Sequence, residues 1–151
     1  MKLSKLLEKC KVISIKGDED VELQSITSDS RTVNKGSLFI AVEGIFTDGH
    51  SYLGKAIEKD AKVVVYDKPL IDEYFSRVTY VQVENSADAL AQIASVWYGN
   101  PSIKLKLVGV TGTNGKTTIA TLLYNMFRML GYPAGLISTV GNYVDGEFFA
   151  T

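Results

Sequence analysis

The sequence predicts an α/β protein with one complete N-terminal domain and the beginning of a second. Short apolar runs typical of strands alternate with segments whose apolar residues recur at helical spacing, the order that parallel sheets require. Of the 151 residues, 46% are hydrophobic and 22% are charged, which is enough apolar material for a core. A turn-forming cluster with proline at 99–102 predicts a linker between domains at 1–98 and 103–151.

The N-terminal domain opens with a predicted helix and two short β segments. Apolar or small residues recur at i, i+3, i+4 and i+7, the pattern of a short amphipathic helix. These residues are Leu3, Leu6, Leu7 and Cys10, and we interpret Cys10 as small core filling. Residues 12–26 have the pattern of short strands, and Gly-Asp-Glu-Asp at 17–20 predicts a hairpin connection between them.

A polar cluster and three buried strands come next. By composition, Thr-Ser-Asp-Ser-Arg at 27–31 favours a turn in which Ser28 or Asp29 bonds to nearby backbone N–H groups. Continuous apolar runs predict buried strands, one of them covered on both faces of its sheet. The strands lie at 38–41, at 63–66, which is the one covered twice, and at 78–83.

Two helices accompany these strands. The face of the first carries Leu53, Ala56 and Ile57, and the second is predicted to begin after Ser86 as its N-cap. The apolar face of this second helix contains Leu90, Ile93, Ala94 and Trp97, and the domain ends near Tyr98. His50, the only histidine, has no neighbours at metal-ligand spacing, so we interpret it as a residue that shapes a site.

The second domain opens with the glycine-rich segment LKLVGVTGTNGKTT at 105–118. Its first six residues predict a buried strand, and a helical apolar pattern from Ile119 to Leu130 follows it. Between strand and helix, Gly112 and Gly115 leave room for a polyphosphate to approach the backbone N–H groups of a helix N-terminus. The segment therefore predicts a phosphate-binding loop.

This loop departs from the common pattern G-x-x-x-x-G-K-[ST] at one position. Val110 stands where the pattern has glycine, and Gly109 comes one residue early. A glycine-rich turn that happens to precede Lys-Thr is the alternative, and the order of strand, loop and helix argues against it. A further strand at 134–138 would complete one βαβ unit, whose two strands leave faces uncovered. We therefore expect the second domain to be truncated.

Two groups of motifs resemble the Mur ligase family, the ATP-dependent amide-forming enzymes that build the peptide of the bacterial cell wall. The first is G-V-T-G-T-N-G-K-T-T at 109–118, followed by G-L-I-S-T-V-G-N at 135–142. The second is the succession S-D-S-R at 28–31, K-G-S-L-F-I-A at 35–41 and G-I-F-T-D-G-H at 44–50. Together they are most similar to the member that adds the third peptide residue, and less similar to the member that adds the final dipeptide.

The resemblance implies a role for each domain. Residues 1–98 would bind the UDP end of the substrate, and the unit from 103 would be the start of the ATP-binding central domain. Lys116 would be catalytic, and Thr117 would hold Mg²⁺. The implied ATP-binding residues are Gly112, Thr113, Asn114, Gly115, Lys116, Thr117 and Thr118. The implied UDP-substrate-binding residues are Ser28, Ser30, Ile45, Phe46 and Thr47.

The resemblance also implies an activity in peptidoglycan precursor synthesis, with ATP and Mg²⁺ as cofactors. The D-glutamate carboxylate of UDP-N-acetylmuramoyl-L-alanyl-D-glutamate would attack the ATP γ-phosphate, and the amine of a diamino acid would attack the resulting acyl phosphate. In the family, a C-terminal domain selects lysine or meso-diaminopimelate. That domain, the carboxylate metal ligands and a modified lysine would lie beyond Thr151, so we expect this chain alone to be inactive.

Other classes of function stay open beside this one. The chain could belong to another P-loop protein such as a kinase or GTPase, although no guanine-reading motif is visible, or it could be a non-catalytic nucleotide-sugar-binding module. A net charge of −1 gives no reason to expect nucleic acid as a partner. No apolar run approaches the ~18 residues of a membrane span, so we expect no membrane insertion. A single cysteine and the lack of a signal-peptide core predict a cytoplasmic protein.

Overall fold

A five-stranded sheet organises the N-terminal part of the computed structural model, which describes residues 1–45, 47–69 and 77–150. The chain divides into two units, Met1–Leu105 and Lys106–Thr151. In the first unit the strands are β1 (Val12–Lys16), β2 (Ser25–Thr27), β3 (Ser37–Ile40), β4 (Val63–Tyr66) and β5 (Thr79–Val83). The helices are α1 (Leu3–Leu7), α2 (Leu53–Glu58) and α3 (Ser86–Trp97), with 3₁₀ turns at Gly49–Tyr52 and Pro101–Lys104.

The order of strands in this sheet is β1-β5-β4-β3-β2. Strands β2 to β5 are parallel, with Leu38 opposite Val63 and Val63 opposite Thr79, and β1 pairs antiparallel with β5. Successive side chains of a strand point to opposite faces, so Val63 and Val65 join one core cluster while Val64 and Tyr66 join the other. The α/β class with a parallel sheet is confirmed, and so is the prediction that this strand is covered on both faces.

The predicted hairpin at 17–20 is wrong. β1 and β2 lie at opposite edges of the sheet, because β1 pairs with β5 and β2 pairs with β3. The connecting residues cross beside α1, where the Leu3 N–H donates to the Val21 carbonyl and the Leu23 N–H donates to the Met1 carbonyl. The side chains of Val21 and Leu23 are buried in the first cluster. A local turn signal carries no information about which distant strand each segment pairs with.

The predicted N-cap of α3 is also wrong by one residue. Asn85 caps the helix, and its side-chain oxygen accepts the Asp88 N–H at 2.8 Å. Ser86 is instead the first helical residue, and its N–H donates to Asp67 Oδ2 at 2.9 Å. Asparagine and serine are both favoured at this position, so the sequence alone does not choose between neighbours.

The second unit contains one helix and a three-stranded antiparallel sheet. They are α4 (Lys116–Met129), β6 (Gly135–Ser138), β7 (Gly141–Val144) and β8 (Glu147–Phe149). Helix α4 packs against the sheet through Tyr124, whose ring lies 5.4 Å from that of Tyr143. The predicted helix and the strand after it are confirmed.

The predicted strand at 105–110, and with it the βαβ unit, is not formed among the described residues. These residues have no strand assignment, and Leu107 is 90% exposed. A parallel strand forms only when a neighbouring strand supplies its hydrogen bonds, and β6 pairs antiparallel with β7 instead.

Candidate functional site

Two loops of the N-terminal unit line a cleft of about 520 Å³. One loop follows β2 and contributes Ser28 and Ser30, and the other follows β3 and contributes Thr47. Because β2 and β3 are adjacent and parallel, the loops at their carboxyl ends meet at the same edge of the sheet. Ligands of open α/β sheets bind at this edge. The structure thus brings together three of the residues that the sequence predicted for one site.

The hydroxyl groups of Ser28 and Ser30 are available to a ligand. Within the part of the chain that the structure describes, neither side chain makes a hydrogen bond. The turn is held by other groups: Asp29 Oδ1 accepts the Arg31 N–H at 2.9 Å, and the Asp29 N–H donates to Thr27 Oγ1 at 3.0 Å. The expected turn therefore exists, but Asp29 stabilises it and leaves both serines free.

An ion pair shapes the same loop. The Arg31 guanidinium donates to both carboxylate oxygens of Asp29, with Nη2 2.8 Å from Oδ2. Hydrogen bonds from Arg31 lower the pKa of Asp29 to about 2. Both side chains line the cleft, and the Arg31 side chain is 88% exposed. A cation is thus held at the rim of the cleft in a defined position.

The remaining predicted UDP-site residues divide into two cases. Ile45 is 94% exposed and does not line the cleft. Phe46 lies outside the described residues.

Sequence reasoning missed the apolar part of this cleft. Tyr52 and Leu90 line it together with Val42. Leu90, which helical spacing places on the apolar face of α3, packs against the core and is half-buried, and it also lines the cleft. Only the pairing of the strands could show that α3 reaches this edge.

A charged network holds the loop after β3. Asp48 caps the 3₁₀ turn, accepting the His50 N–H at 3.0 Å, and its carboxylate also contacts Lys68 Nζ at 2.8 Å. These hydrogen bonds, that from Lys68 first, hold the pKa of Asp48 well below its usual range. Lys68 Nζ also forms an ion pair with Glu43 Oε2, at 3.0 Å. His50, which the sequence predicts to shape a site, therefore lies in this network, next to the cleft residue Gly49.

The glycine-rich loop of the second unit has the backbone that a phosphate site needs. Gly112 and Gly115 have φ of 144° and 74°, the left-handed region that favours glycine, and no atom lies within 4 Å of a Cβ added at Gly115. Gly115 precedes α4 without a side-chain cap, so the first N–H groups of the helix are open to an anion.

The side chains of this loop that the sequence predicts to act on ATP lie at its surface. Lys116 Nζ donates to the carbonyl oxygens of Gly112 and Thr113, folding over its own loop. Within the described ranges, the Thr117 and Thr118 hydroxyls make no hydrogen bond. Thr113 and Asn114 are exposed between the two glycines. All seven predicted ATP-site residues therefore lie on one loop and the first turn of α4.

The described residues contain neither a cluster of metal ligands nor a membrane span. Residues 1–45, 47–69 and 77–150 contain no group of three or more histidine, cysteine, aspartate or glutamate side chains placed to hold a metal ion. In the same ranges no helix has the length and apolarity to cross a bilayer.

Family models match both parts of the chain. Residues 22–98 match the model described as Mur ligase family, catalytic domain, and residues 110–150 match the model described as Mur ligase middle domain. The first match alone covers more than half of the chain.

Curated relatives are similar over nearly the whole chain. The UDP-N-acetylmuramoyl-L-alanyl-D-glutamate--2,6-diaminopimelate ligase of Phocaeicola vulgatus is 52% identical, over 100% of this chain and 31% of that protein. Proteins of the same name from Cytophaga hutchinsonii and Clostridium tetani are 51% and 43% identical, over 97% and 99% of this chain and 30% and 31% of their own. The chain thus spans about a third of the length of these relatives.

Solved structures show the same fold at lower identity. Crystal structure I of MurF from Acinetobacter baumannii has a TM-score of 0.58 and 22% identity, over 85% of this chain and 28% of that one. The UDP-N-acetylmuramoylalanyl-D-glutamyl-2,6-diaminopimelate--D-alanyl-D-alanyl ligase of the same organism has a TM-score of 0.56 at 22% identity, with the same coverage.

Proposed function

The chain belongs to the Mur ligase family, and we propose that the whole protein is an ATP-dependent ligase of peptidoglycan precursor synthesis. It would add 2,6-diaminopimelate to UDP-N-acetylmuramoyl-L-alanyl-D-glutamate. The observation that carries this proposal is the 52% identity over the full chain to a relative of that name. Among the comparisons, the dipeptide-adding alternative is supported by a fold shared at 22% identity.

The proposed enzyme is a UDP-N-acetylmuramyl-tripeptide synthetase. The name UDP-N-acetylmuramoyl-L-alanyl-D-glutamate ligase does not fit this proposal, because it describes a ligase that adds the D-glutamate itself. The relatives are named as ligases that join 2,6-diaminopimelate to a substrate that already carries D-glutamate. The proposal therefore specifies the diamino acid that the sequence alone left open between lysine and meso-diaminopimelate.

The cleft between the β2 and β3 loops is the proposed site for the UDP end of the substrate. The unpaired hydroxyls of Ser28 and Ser30 can donate to or accept from a uridine or its diphosphate, and Thr47 faces the same space. Arg31 supplies a positive charge at the rim. Tyr52 and Leu90 provide the apolar surface that such sites combine with a few polar groups. Ile45 and Phe46 remain candidates on the same loop.

The glycine-rich loop is the proposed site for the ATP phosphates. The left-handed glycines and the open N–H groups at the start of α4 fit an anion, and Lys116 reaches over the same loop. Lys116 must leave the carbonyl oxygens of Gly112 and Thr113 to contact a phosphate. Its charge would then stabilise the transferring phosphoryl oxygens as the bond to ADP loosens.

The residues present also fit part of an Mg²⁺ site. Mg²⁺ is commonly held by one or two protein oxygens, several waters and the substrate phosphates. The unpaired Thr117 hydroxyl, at the first turn of α4, can supply one such oxygen. Bound there, the ion would neutralise charge on the phosphates.

We propose a cytoplasmic location for the protein. The proposed nucleotide substrates and the single free cysteine support it.

Two binding experiments test the separate sites. Calorimetric titration of this chain with UDP, and separately with ATP and Mg²⁺, should show one site for each nucleotide. Ser30→Ala should weaken only the first, and Lys116→Ala only the second. In the complete protein, product mass after incubation with ATP, the UDP-dipeptide and either 2,6-diaminopimelate, lysine or D-alanyl-D-alanine identifies the added group. Exclusive addition of lysine or of the dipeptide would contradict the proposal.

A further inference from the structure

The imidazole of His50 connects the loop after β3, which lines the cleft, to the end of β4. The His50 Nδ1 lies 2.6 Å from Asp48 Oδ1, and Nε2 lies 3.0 Å from Asp67 Oδ1, at the end of β4. Without a proton, Nε2 accepts the Asp67 N–H at 3.3 Å, and with a proton it can donate to Oδ1, so the ring faces Asp67 in both forms. The His50 side chain is 9% exposed, so this bridge is shielded from solvent. Through it, the loop that follows β3 is attached to the neighbouring strand.

We propose that His50 is a positioning residue for the proposed UDP cleft. It holds Thr47 and Gly49, which line the cleft, without contacting the nucleotide itself. This inference rests on the proposed function of that cleft, and it explains why a shielded histidine with two carboxylate neighbours stands in a surface loop.

The second carboxylate of the bridge extends it to α3. Asp67 Oδ2 accepts the Ser86 N–H at 2.9 Å, at the first residue of the helix whose Leu90 lines the cleft. Asp67 Oδ1 is buried and has no hydrogen bond among the described residues. Buried carboxylate oxygens are costly without a donor or a cation beside them, and the His50 ring is the group that lies there. Through Asp67, His50 thus connects the loop after β3 with the start of α3, and both of these elements line the cleft.

The backbone of the loop leaves little freedom around this bridge. The Gly49 N–H donates to the Val42 carbonyl at 2.9 Å, and a Cβ at Gly49 would lie 2.7 Å from Val42 backbone atoms. Lys68 holds the other oxygen of Asp48. A loop fixed in its binding position loses less conformational freedom when the ligand binds. Loosening the bridge should therefore appear as lost affinity for UDP.

Three substitutions separate the two halves of the bridge. His50→Asn keeps an amide donor near the Nδ1 position, His50→Gln places an amide near the Nε2 position, and His50→Leu keeps neither. Calorimetric titration with UDP should show the greatest loss for the leucine variant, about tenfold, the scale of one oriented hydrogen bond. The asparagine and glutamine variants should each recover part of the loss. Affinity for ATP should stay the same in all three.

The histidine itself provides a spectroscopic readout. Because His50 is the only histidine, its ring protons give a single set of NMR signals, and these should shift when UDP is added. Thermal unfolding identifies the temperature range in which each variant is folded. If the leucine variant does not fold, the asparagine and glutamine variants decide the question.

Two results would overturn the inference while the proposed function stands. One is a folded His50→Leu variant that binds UDP as tightly as the wild type does, while Ser30→Ala in the wild-type chain still weakens UDP binding. The other is an equal loss in all three variants, since the bulk of the ring rather than its hydrogen bonds would then matter. Absence of UDP binding by the wild-type chain would refute the proposed function, and this inference with it.

Discussion

The two candidate sites of this chain are built in different ways. The cleft lies between loops at the ends of adjacent strands, and half-buried side chains and a charged network form its walls. The glycine-rich loop takes its shape from its own backbone, and Lys116, the first residue of α4, folds its side chain back onto it. The first site depends on residues distant in sequence, and the second on consecutive residues. Substitutions in the two regions should therefore fail in different ways.

The largest difference should be in stability. Phe39 is fully buried on one face of the sheet, so Phe39→Ala should lower the free energy of unfolding of the N-terminal unit by about 3–5 kcal/mol. Leu107, which is 90% exposed, serves as the matched control, because Leu107→Ala removes almost no buried surface. Chemical denaturation of both variants checks this. A comparable loss for Leu107 would mean that residues before the glycine-rich loop are packed in solution.

The next largest effect should be a loss of catalytic rate with no loss of stability. In the complete protein, Lys116→Ala should slow phosphoryl transfer by at least about a hundredfold, the scale for losing one preorganised charge contact. The melting temperature should not change, since the side chain is exposed and contacts only its own loop. Lys106→Ala, at another exposed lysine of the same unit, is the control and should keep full turnover. Normal turnover in the Lys116 variant would rule out the phosphate-loop assignment.

A smaller effect should distinguish the cleft from the loop. Ser30→Ala should weaken UDP binding by about 0.5–1.5 kcal/mol, the contribution of one hydrogen bond. Because the hydroxyl has no partner among the described residues, stability should be unchanged. Titration with UDP and with ATP measures both affinities. Weaker ATP binding with unchanged UDP binding would reverse the assignment of the two sites.

The smallest effect concerns pH. Arg31 holds the pKa of Asp29 at about 2, below the ordinary value of about 3.9. A lowered pKa stabilises the fold above the unfolded-state value, so this contribution should be full above about pH 5 and disappear as the pH falls from about 4 to 2. Because the pair is exposed, the contribution is small. The difference in melting temperature between wild type and Asp29→Asn should therefore shrink in this range, and a constant difference would contradict it.

Elements with local signals are predictable from the amino-acid sequence alone. Apolar runs identified β3, β4 and β5, and helical spacing identified α3 and α4. The glycine-rich loop was recognisable because its chemistry depends on consecutive residues, Gly112 to Thr117, which remain neighbours in any fold. Ser28, Ser30 and Thr47 were named from motifs, and the structure places them in one cleft.

Features that depend on pairing between distant segments appear only in the folded chain. The turn-forming residues at 17–20 lie between β1 and β2, but these two strands pair with different partners, because long-range packing decides the pairing. The run at 105–110 had the composition of a strand, yet a strand needs a neighbour for its hydrogen bonds. Contacts between distant segments also place Leu90 in the cleft and join Asp48 to Asp67 through His50 beside it. Local patterns fix the conformation of a segment, whereas contacts between segments fix which side chains share a site.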